Sequence, residues 1–268
     1  MVILMSETLK IVNSENILSK MKEGQRLDGR GLNDYRDIEI KVNNIKSADG
    51  SSWVRIGNTE VVCGIKFIIG TPYPDSPDEG NMSFNLELTG LSSPEFSTGP
   101  PQIDALEYGR VADRAIRHAN AIDFKELAII PGEKVFTMFI DCYAINADGN
   151  LIDATEIAAL AAIMNAHIPK LDEKNVIIYG EKDRKINLKT FPLSFTFEKI
   201  GDKIVLDATE IEEFTSSTRF SLGIYKNTIL SCHKSKGGVF TSDEINYMID
   251  VATSKYNELE KKIKDAIK

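Results

Sequence analysis

The sequence predicts an α+β fold with mixed α/β character. Runs of alternating apolar and polar residues, such as "DIEIKV" and "NMSFNLELTGL", mark strands. A few longer runs with apolar residues every three or four positions mark helices. In each half of the chain, strands run ahead of helices, which favours sheets covered by helices over an all-β or all-α design.

Residues 1–25, including "SENILSKMKEG", read as a short amphipathic helix at the edge of the fold. In "QRLDGRGLNDYRDIEIKV", Asp28-Gly29 signals a turn and the end alternates as a strand. "SSWVRIGNTEVVCGIKFIIG" is two strand-like runs around Gly57-Asn58-Thr59, a hairpin pattern. "GTPYPDSPDEG", with three prolines and three acids, is a solvent loop. "PPQIDALEYGRVADRAIRHANAI" is the first strong helix, with prolines at its start, where a missing N–H costs little. "KVFTMFIDCYAI" is a strand and "NADGN" a turn. "DATEIAALAAIMNAHIP" is a second helix, with Asp153 expected as its cap, Glu156 three residues on, and Pro169 beyond its end.

The second half repeats this style. "NVIIYG", "LSFTFEKI" and "DKIVLDA" read as strands, the last two joined at Gly201-Asp202. "RFSLGIYKNTILSCHK" is a hairpin around Lys226-Asn227, followed by the basic glycine loop "KSKGG". Thr241 and Glu244 form a capping box opening a last helix, apolar at Ile245, Met248, Ile249, Ala252, Tyr256, Leu259 and Ile263. The organisation expected is an extension over 1–25, a first half over 26–170 and a second half over 171–268.

Composition narrows the function classes. A chain of 268 residues with 42% hydrophobic and 27% charged residues is ordinary for a soluble globular protein. The net charge of −8 offers nucleic acid no global attraction, so any RNA or phosphate site must be a local basic patch. Cys63, Cys142 and Cys232 lie far apart, and His118, His167 and His233 have no zinc spacing. Reduced thiols in a cytoplasmic protein are expected, with no metal and no cofactor. The near-apolar run "IAALAAIMNAHI" is too short for a membrane span, which needs roughly 20 residues.

The stretch that poses the chemical question is "EIEEFTSSTRFS". Glu210, Glu212 and Glu213 crowd three acids into four positions, enough to begin a divalent-metal site, yet Arg219 follows six residues after Glu213. On the first strong helix, Arg110, Arg114 and Arg117 fall within about 60° of one another at 100° per residue, making a cationic stripe beside Glu107.

Five stretches, in register, together resemble the RNase PH family: "RLDGRGLNDYRDIEI", "GSSWVRIGNTEVVCGI", "EYGRVADRAIRHA", "DCYAINADGNLIDATEIAALAAI" and "LDATEIEEFTSSTRFSLGI". The likeness spans residues 26 to about 260 and is greatest to the non-catalytic RNase PH-like subunit of the archaeal exosome core. It implies an RNase PH-like fold of two pseudo-related sheet-and-helix halves. It also implies an alternating hexameric ring with a catalytic paralogue, RNA as a partner, and cap proteins of S1/KH type.

Active members of the family carry A-D-G-G, then Ser or Thr, then Arg at the phosphate-holding turn. Asn150, Leu151 and Ile152 stand at the last three of those places, so the open backbone, the hydroxyl and the guanidinium are replaced. Active members also place one Asp at the Glu213 position and a second at the Arg219 position. Opposite charges about 4 Å apart in a partly solvated site attract by roughly 4 kcal/mol, so Arg219 would repel a metal on the scale by which Asp would attract it. The expectation is a lost site, with Glu212 or Glu213 paired to Arg219. The implied function is structural and RNA-guiding, within a phosphorolytic 3′→5′ exoribonuclease whose chemistry sits in the partner. The alternatives are an active phosphorolytic exoribonuclease in its own right and a metal-binding acidic domain.

Arg110, Arg114 and Arg117 become RNA-phosphate candidates by this resemblance, and a solvated face or subunit salt bridges are the competing readings. Arg26, Asp28 and Arg30 are expected to lock their own turn with a salt bridge, with RNA contact as the alternative. Trp53 and Phe67 are read as core or interface.

Overall fold

The computed structural model describes residues 2–96 and 99–267, giving only the backbone path for 2–9; Met1, at the head of the expected N-terminal helix, lies outside them. In chain order the elements are α1 (Val2–Lys22), β1 (Ile38–Val42), β2 (Gly50–Ile56), β3 (Thr59–Gly70), β4 (Asn81–Glu87) and α2 (Ile103–His118). A 3-10 turn at Phe124–Leu127 leads to β5 (Ala128–Ile130), β6 (Lys134–Asn146), α3 (Leu151–Asn165), β7 (His167–Leu171) and β8 (Ile177–Lys185). The chain continues with β9 (Leu193–Ile200), β10 (Lys203–Leu206), α4 (Glu210–Thr215), β11 (Thr218–Tyr225), β12 (Thr228–Ser235) and α5 (Ser242–Ile267).

The first sheet runs β1-β2-β3-β6-β4, with β5 joined to β6; the β4–β6 pair is parallel and its other pairs are antiparallel. The second sheet runs β10-β9-β11-β12, all antiparallel, and β7-β8 is a separate hairpin. Between the two larger sheets lies α3, in contact with β2, β3 and β6 on one side and β9 on the other. Its sequence explains the placement. A helix apolar all round has no solvent face, and every residue of α3 except Met164 is buried. Alanine lets neighbours approach closely, and Gly50 completes the fit, because a Cβ there would stand 2.6 Å from the Ala162 carbonyl oxygen.

Two local expectations need correction. Asp153 does not cap α3. The DGN turn puts Asn150 in the left-handed region at φ 53°, so the helix starts two residues before Asp153 and turns that side chain inward. There Asp153 accepts from the Tyr35 hydroxyl at 2.7 Å and from the Thr196 backbone N–H at 3.1 Å and hydroxyl at 2.7 Å. The helix also ends at Asn165, and Pro169 lies inside β7 at a register shift. Helix α1 extends over 21 residues, and Ile17 and Met21 are buried with Ile200, Val205 and Ala208 in a small second core. Cys63 and Cys142 are buried opposite one another on β3 and β6 and remain free thiols.

Candidate functional site

The turn before α3 and the acidic segment meet in one cleft of about 340 Å³, lined among others by Gly149, Leu151, Glu213, Arg219, Tyr108 and Lys236. The topology makes this junction. Strand β6 delivers the DGN turn, β10 delivers α4, and both arrive at the same end of the two sheets. Gly149, at φ 77°, lets the turn touch the second half, because a Cβ there would lie 2.4 Å from the Ala208 carbonyl oxygen.

Arg219 stands at the position where the resemblance leads one to expect a second acid. Its Nε donates to Glu198 Oε1 at 2.5 Å, Nη2 lies 3.0 Å from Glu213 Oε2, and Nη1 donates to the Tyr108 hydroxyl at 2.9 Å. The guanidinium also sits 5.2 Å from the Tyr108 ring centroid. Burial alone would lower its pKa, but the Glu213 and Glu198 carboxylates outweigh that and hold it above the ordinary arginine value. Burial pushes the Glu213 carboxyl upward, opposed by Arg219. Lys236 adds a second cation, 3.1 Å from Glu198 Oε2. Glu198 and Glu213 therefore already have counter-charges from the chain itself.

The three positions of the altered turn separate. Asn150 is buried. Its N–H donates to Glu213 Oε1 at 2.8 Å, and its amide donates to Asp207 at 2.8 Å and Asp153 at 3.0 Å. Leu151 lines the cleft with an aliphatic side chain, and Ile152 is turned into the core. Neither side chain offers a donor to phosphate.

Glu212 is not the partner of Arg219. It caps α4 through the Thr209 N–H at 2.8 Å and receives Arg26, whose Nη2 lies 2.6 Å from its carboxylate. Arg30 does pair with Asp28, at 2.7 Å, and also reaches Asp207 at 3.0 Å. Arg36 forks onto Asp207 at 2.8 and 2.9 Å, and that carboxyl is held below the ordinary aspartate value, its burial overcome by Arg36. Residues 26–36 thus tie the acidic segment to the turn before α3. Asp28 is half exposed and Arg26 is buried, which leaves Arg26 out of reach of RNA.

The arginine stripe divides. Arg117 pairs with Asp113 at 2.8 Å and donates to the Met82 carbonyl at 2.6 Å. Arg110 and Arg114 are exposed and have no charge partner among the described residues. Glu107 is taken by His233 at 3.1 Å. The helix borders the cleft through Asp104 and Tyr108, but at 100° per residue Arg110 stands roughly 120–160° and Arg114 roughly 80–120° around the axis from those two. They share the outer face with exposed Ile103 and Leu106. Phe67 is buried in the core, whereas Trp53 is half-buried on the sheet face with Lys41 4.5 Å from its ring.

Sequence reasoning missed Glu198 and Tyr108, the partners that define Arg219. A lone Glu in "LSFTFEKI" and a lone Arg in "TRFSLGIY" were the available signals, and Glu198 and Arg219 are direct cross-strand neighbours.

The model of domain 1 of the 3′ exoribonuclease family (RNase PH) matches residues 34–169, and that of domain 2 matches residues 190–255. The chain belongs to the RNase PH family. Among its relatives, the exosome complex component Rrp42 of Thermococcus gammatolerans is 42% identical over 265 residues, covering 97% of both chains. The component of the same name from Methanosarcina acetivorans is 40% identical over 256 residues, covering 95% of this chain and 94% of the relative. A chain of the Archaeoglobus fulgidus exosome with RNA bound to the active site superposes with a TM-score of 0.90 at 35% identity, covering 95% of this chain and 99% of that one. A chain of an archaeal exosome core gives 0.86 at 33%, covering 97% and 99%. Those two solved chains share the two-sheet architecture described above.

Proposed function

We propose that this chain is a non-catalytic, RNA-guiding subunit of an archaeal-type exosome, a phosphorolytic 3′→5′ exoribonuclease ring involved in RNA degradation. The observation that carries the reading is Arg219, buried between Glu198 and Glu213 where the family pattern needs a second acid. A divalent metal entering there would meet a fixed guanidinium and a lysine. Phosphate entering the turn would meet Leu151 in place of a hydroxyl or guanidinium donor.

The ring partner is a catalytic RNase PH-like paralogue. Arg110 and Arg114 support this arrangement, because they face outward beside Ile103 and Leu106 and are placed to serve RNA in a neighbouring subunit's site. Caps of S1/KH type and a cytoplasmic location complete the reading. No described helix is long and apolar enough to cross a membrane.

The test is phosphorolysis by the purified chain with RNA, phosphate and magnesium, alone and after mixing with the paralogue. The expected result is no nucleoside diphosphate from the chain alone and release from the mixture. Phosphate-dependent release by the chain alone, after removal of contaminating nuclease, refutes the non-catalytic reading.

A further inference from the structure

Helix α3 links two sites of opposite character. It begins at Leu151 in the Glu213–Arg219 cleft and ends at Asn165, fourteen residues and about 21 Å further along the axis. At that far end is an open groove of about 440 Å³, whose ionisable lining residues are Lys46, His167, Lys182 and Lys185. It contains no carboxylate. In a chain of net charge −8 such a cluster is a local reversal of sign. A register shift in the β7–β8 hairpin, between the Ile168–Arg184 and Pro169–Lys182 pairs, brings Lys182 and Lys185, three positions apart, onto one groove.

The three lysines are exposed and have no ion pair or hydrogen bond among the described residues. The neighbouring acids are otherwise engaged. Asp49 holds Lys66 at 3.4 Å and the Phe67 N–H at 3.0 Å, and Asp183 holds Arg184 at 2.5 Å. His167 registers the same field: partial burial and then the charge of Lys182 hold its imidazole below the ordinary histidine value. The ends of α3 and α5 lie beside the groove, and lysines near helix C-termini can serve only to balance the helix dipole. In that role their ammonium groups would hydrogen-bond the last carbonyls, and none of the three does so among the described residues.

We propose that this groove binds the phosphodiester backbone of single-stranded RNA, as a docking site about one α3 length from the Glu213–Arg219 cleft. The inference rests on the RNA-guiding reading above and gives it a second surface. The groove is open and larger than a single phosphate needs, which favours a strand lying across it. It has no Phe, Tyr or Trp side chain on which a base would stack, and lysines act as point charges, so binding is expected to be largely independent of sequence.

The test compares the full chain with K182A/K185A, K182R/K185R and R110A/R114A. Affinity for a 20-nucleotide oligouridylate is measured by fluorescence anisotropy across a salt series, with circular dichroism melts confirming each fold. Loss of two phosphate contacts flattens the log-affinity against log-salt slope by about 1.4, and the arginine replacement restores it. An unchanged slope in a normally folded K182A/K185A chain overturns the proposal. So does displacement of RNA by inorganic phosphate at matched ionic strength, which would make this a free-anion site. Polyglutamate binding that requires the lysines, with RNA affinity indifferent to them, overturns it in favour of an acidic protein partner. A slope lost only in R110A/R114A rejects the groove and keeps the RNA-guiding function; no RNA binding by any form rejects both.

Discussion

Replacing Arg219 with Met tests what the cationic residue does in the cleft. The change removes a guanidinium that bonds Glu198, Glu213 and Tyr108 and leaves fully buried Glu198 without its nearest counter-charge. Breaking a buried ion pair by removing one partner destabilises by about 3–5 kcal/mol. Glu198 would keep Lys236 at 3.1 Å and the Ser216 hydroxyl at 2.5 Å, so the low end, about 3 kcal/mol, is expected. For a chain of this size that corresponds to a fall in Tm of roughly 6–12 °C. Urea unfolding followed by circular dichroism gives the free energy. The double replacement E198L/R219M should recover most of the loss, because a well-packed apolar pair can stand in for a buried ion pair. An R219M chain within about 0.5 kcal/mol of the parent, the range of ordinary surface changes, would show that the buried pair is not holding this cleft together.

Three further outcomes are expected. In the assembled ring, R110A/R114A should weaken RNA binding and flatten the salt slope by about 1.4 while the particle mass stays constant; loosened assembly with normal RNA affinity would instead make the stripe a subunit contact. Glu156 is buried, neither carboxylate oxygen has a hydrogen-bond partner of good geometry, and burial, against a favourable influence from Ser194, raises its pKa to about 8. A raised acid binds more protons folded than unfolded, so its contribution is complete below about pH 4.5 and fades as pH rises to about 8; E156Q should remove up to about 1.4 kcal/mol per pH unit of that slope, read from unfolding curves between pH 5 and 8. G149A should destabilise by at least about 2 kcal/mol, since the turn needs φ 77° and the new Cβ would meet the Ala208 carbonyl oxygen at 2.4 Å; a wild-type melt would show that the turn relaxes freely.

Most elements were legible in the sequence because their signals are local. The hairpins at Gly57-Asn58 and Lys226-Asn227 follow from turn chemistry, and α5 opens with both hydrogen bonds of its capping box, at 2.7 and 3.2 Å. Where the reading failed, tertiary contacts had overridden a local pattern. "DATE" has capping-box spacing, but Asp153 is drawn inward by Tyr35 and Thr196. Thr209 and Glu212 form a genuine capping box, visible as T-x-x-E, yet Glu212 counts in the sequence as one of three crowded acids to be set against Arg219, and α4 has no further local signal. The partner of Arg219 lay beyond reach for another reason: Glu198 meets it through strand register, which depends on the whole second sheet.

The positions read as departures from the family pattern are joined to one another physically. Glu213 uses one oxygen to accept the Asn150 N–H at the head of α3 and the other to hold Arg219. Asn150, at the place where the resemblance leads one to expect a second glycine, reaches Asp207, which Arg36 grips from the first half. A chain of contacts therefore runs from Arg36 through Asp207, Asn150 and Glu213 to Arg219 and Glu198, crossing between the two halves. Restoring an acid at Arg219 alone would leave Glu198, Glu213 and the new carboxylate facing one another in a buried site with Lys236 as their remaining close cation. Restoring the turn alone would place an arginine in the position of Ile152, whose side chain is turned into the core rather than the cleft. Single reversions at either position consequently strain the fold before they rebuild a site, because side chains in these positions now serve as ties between the halves.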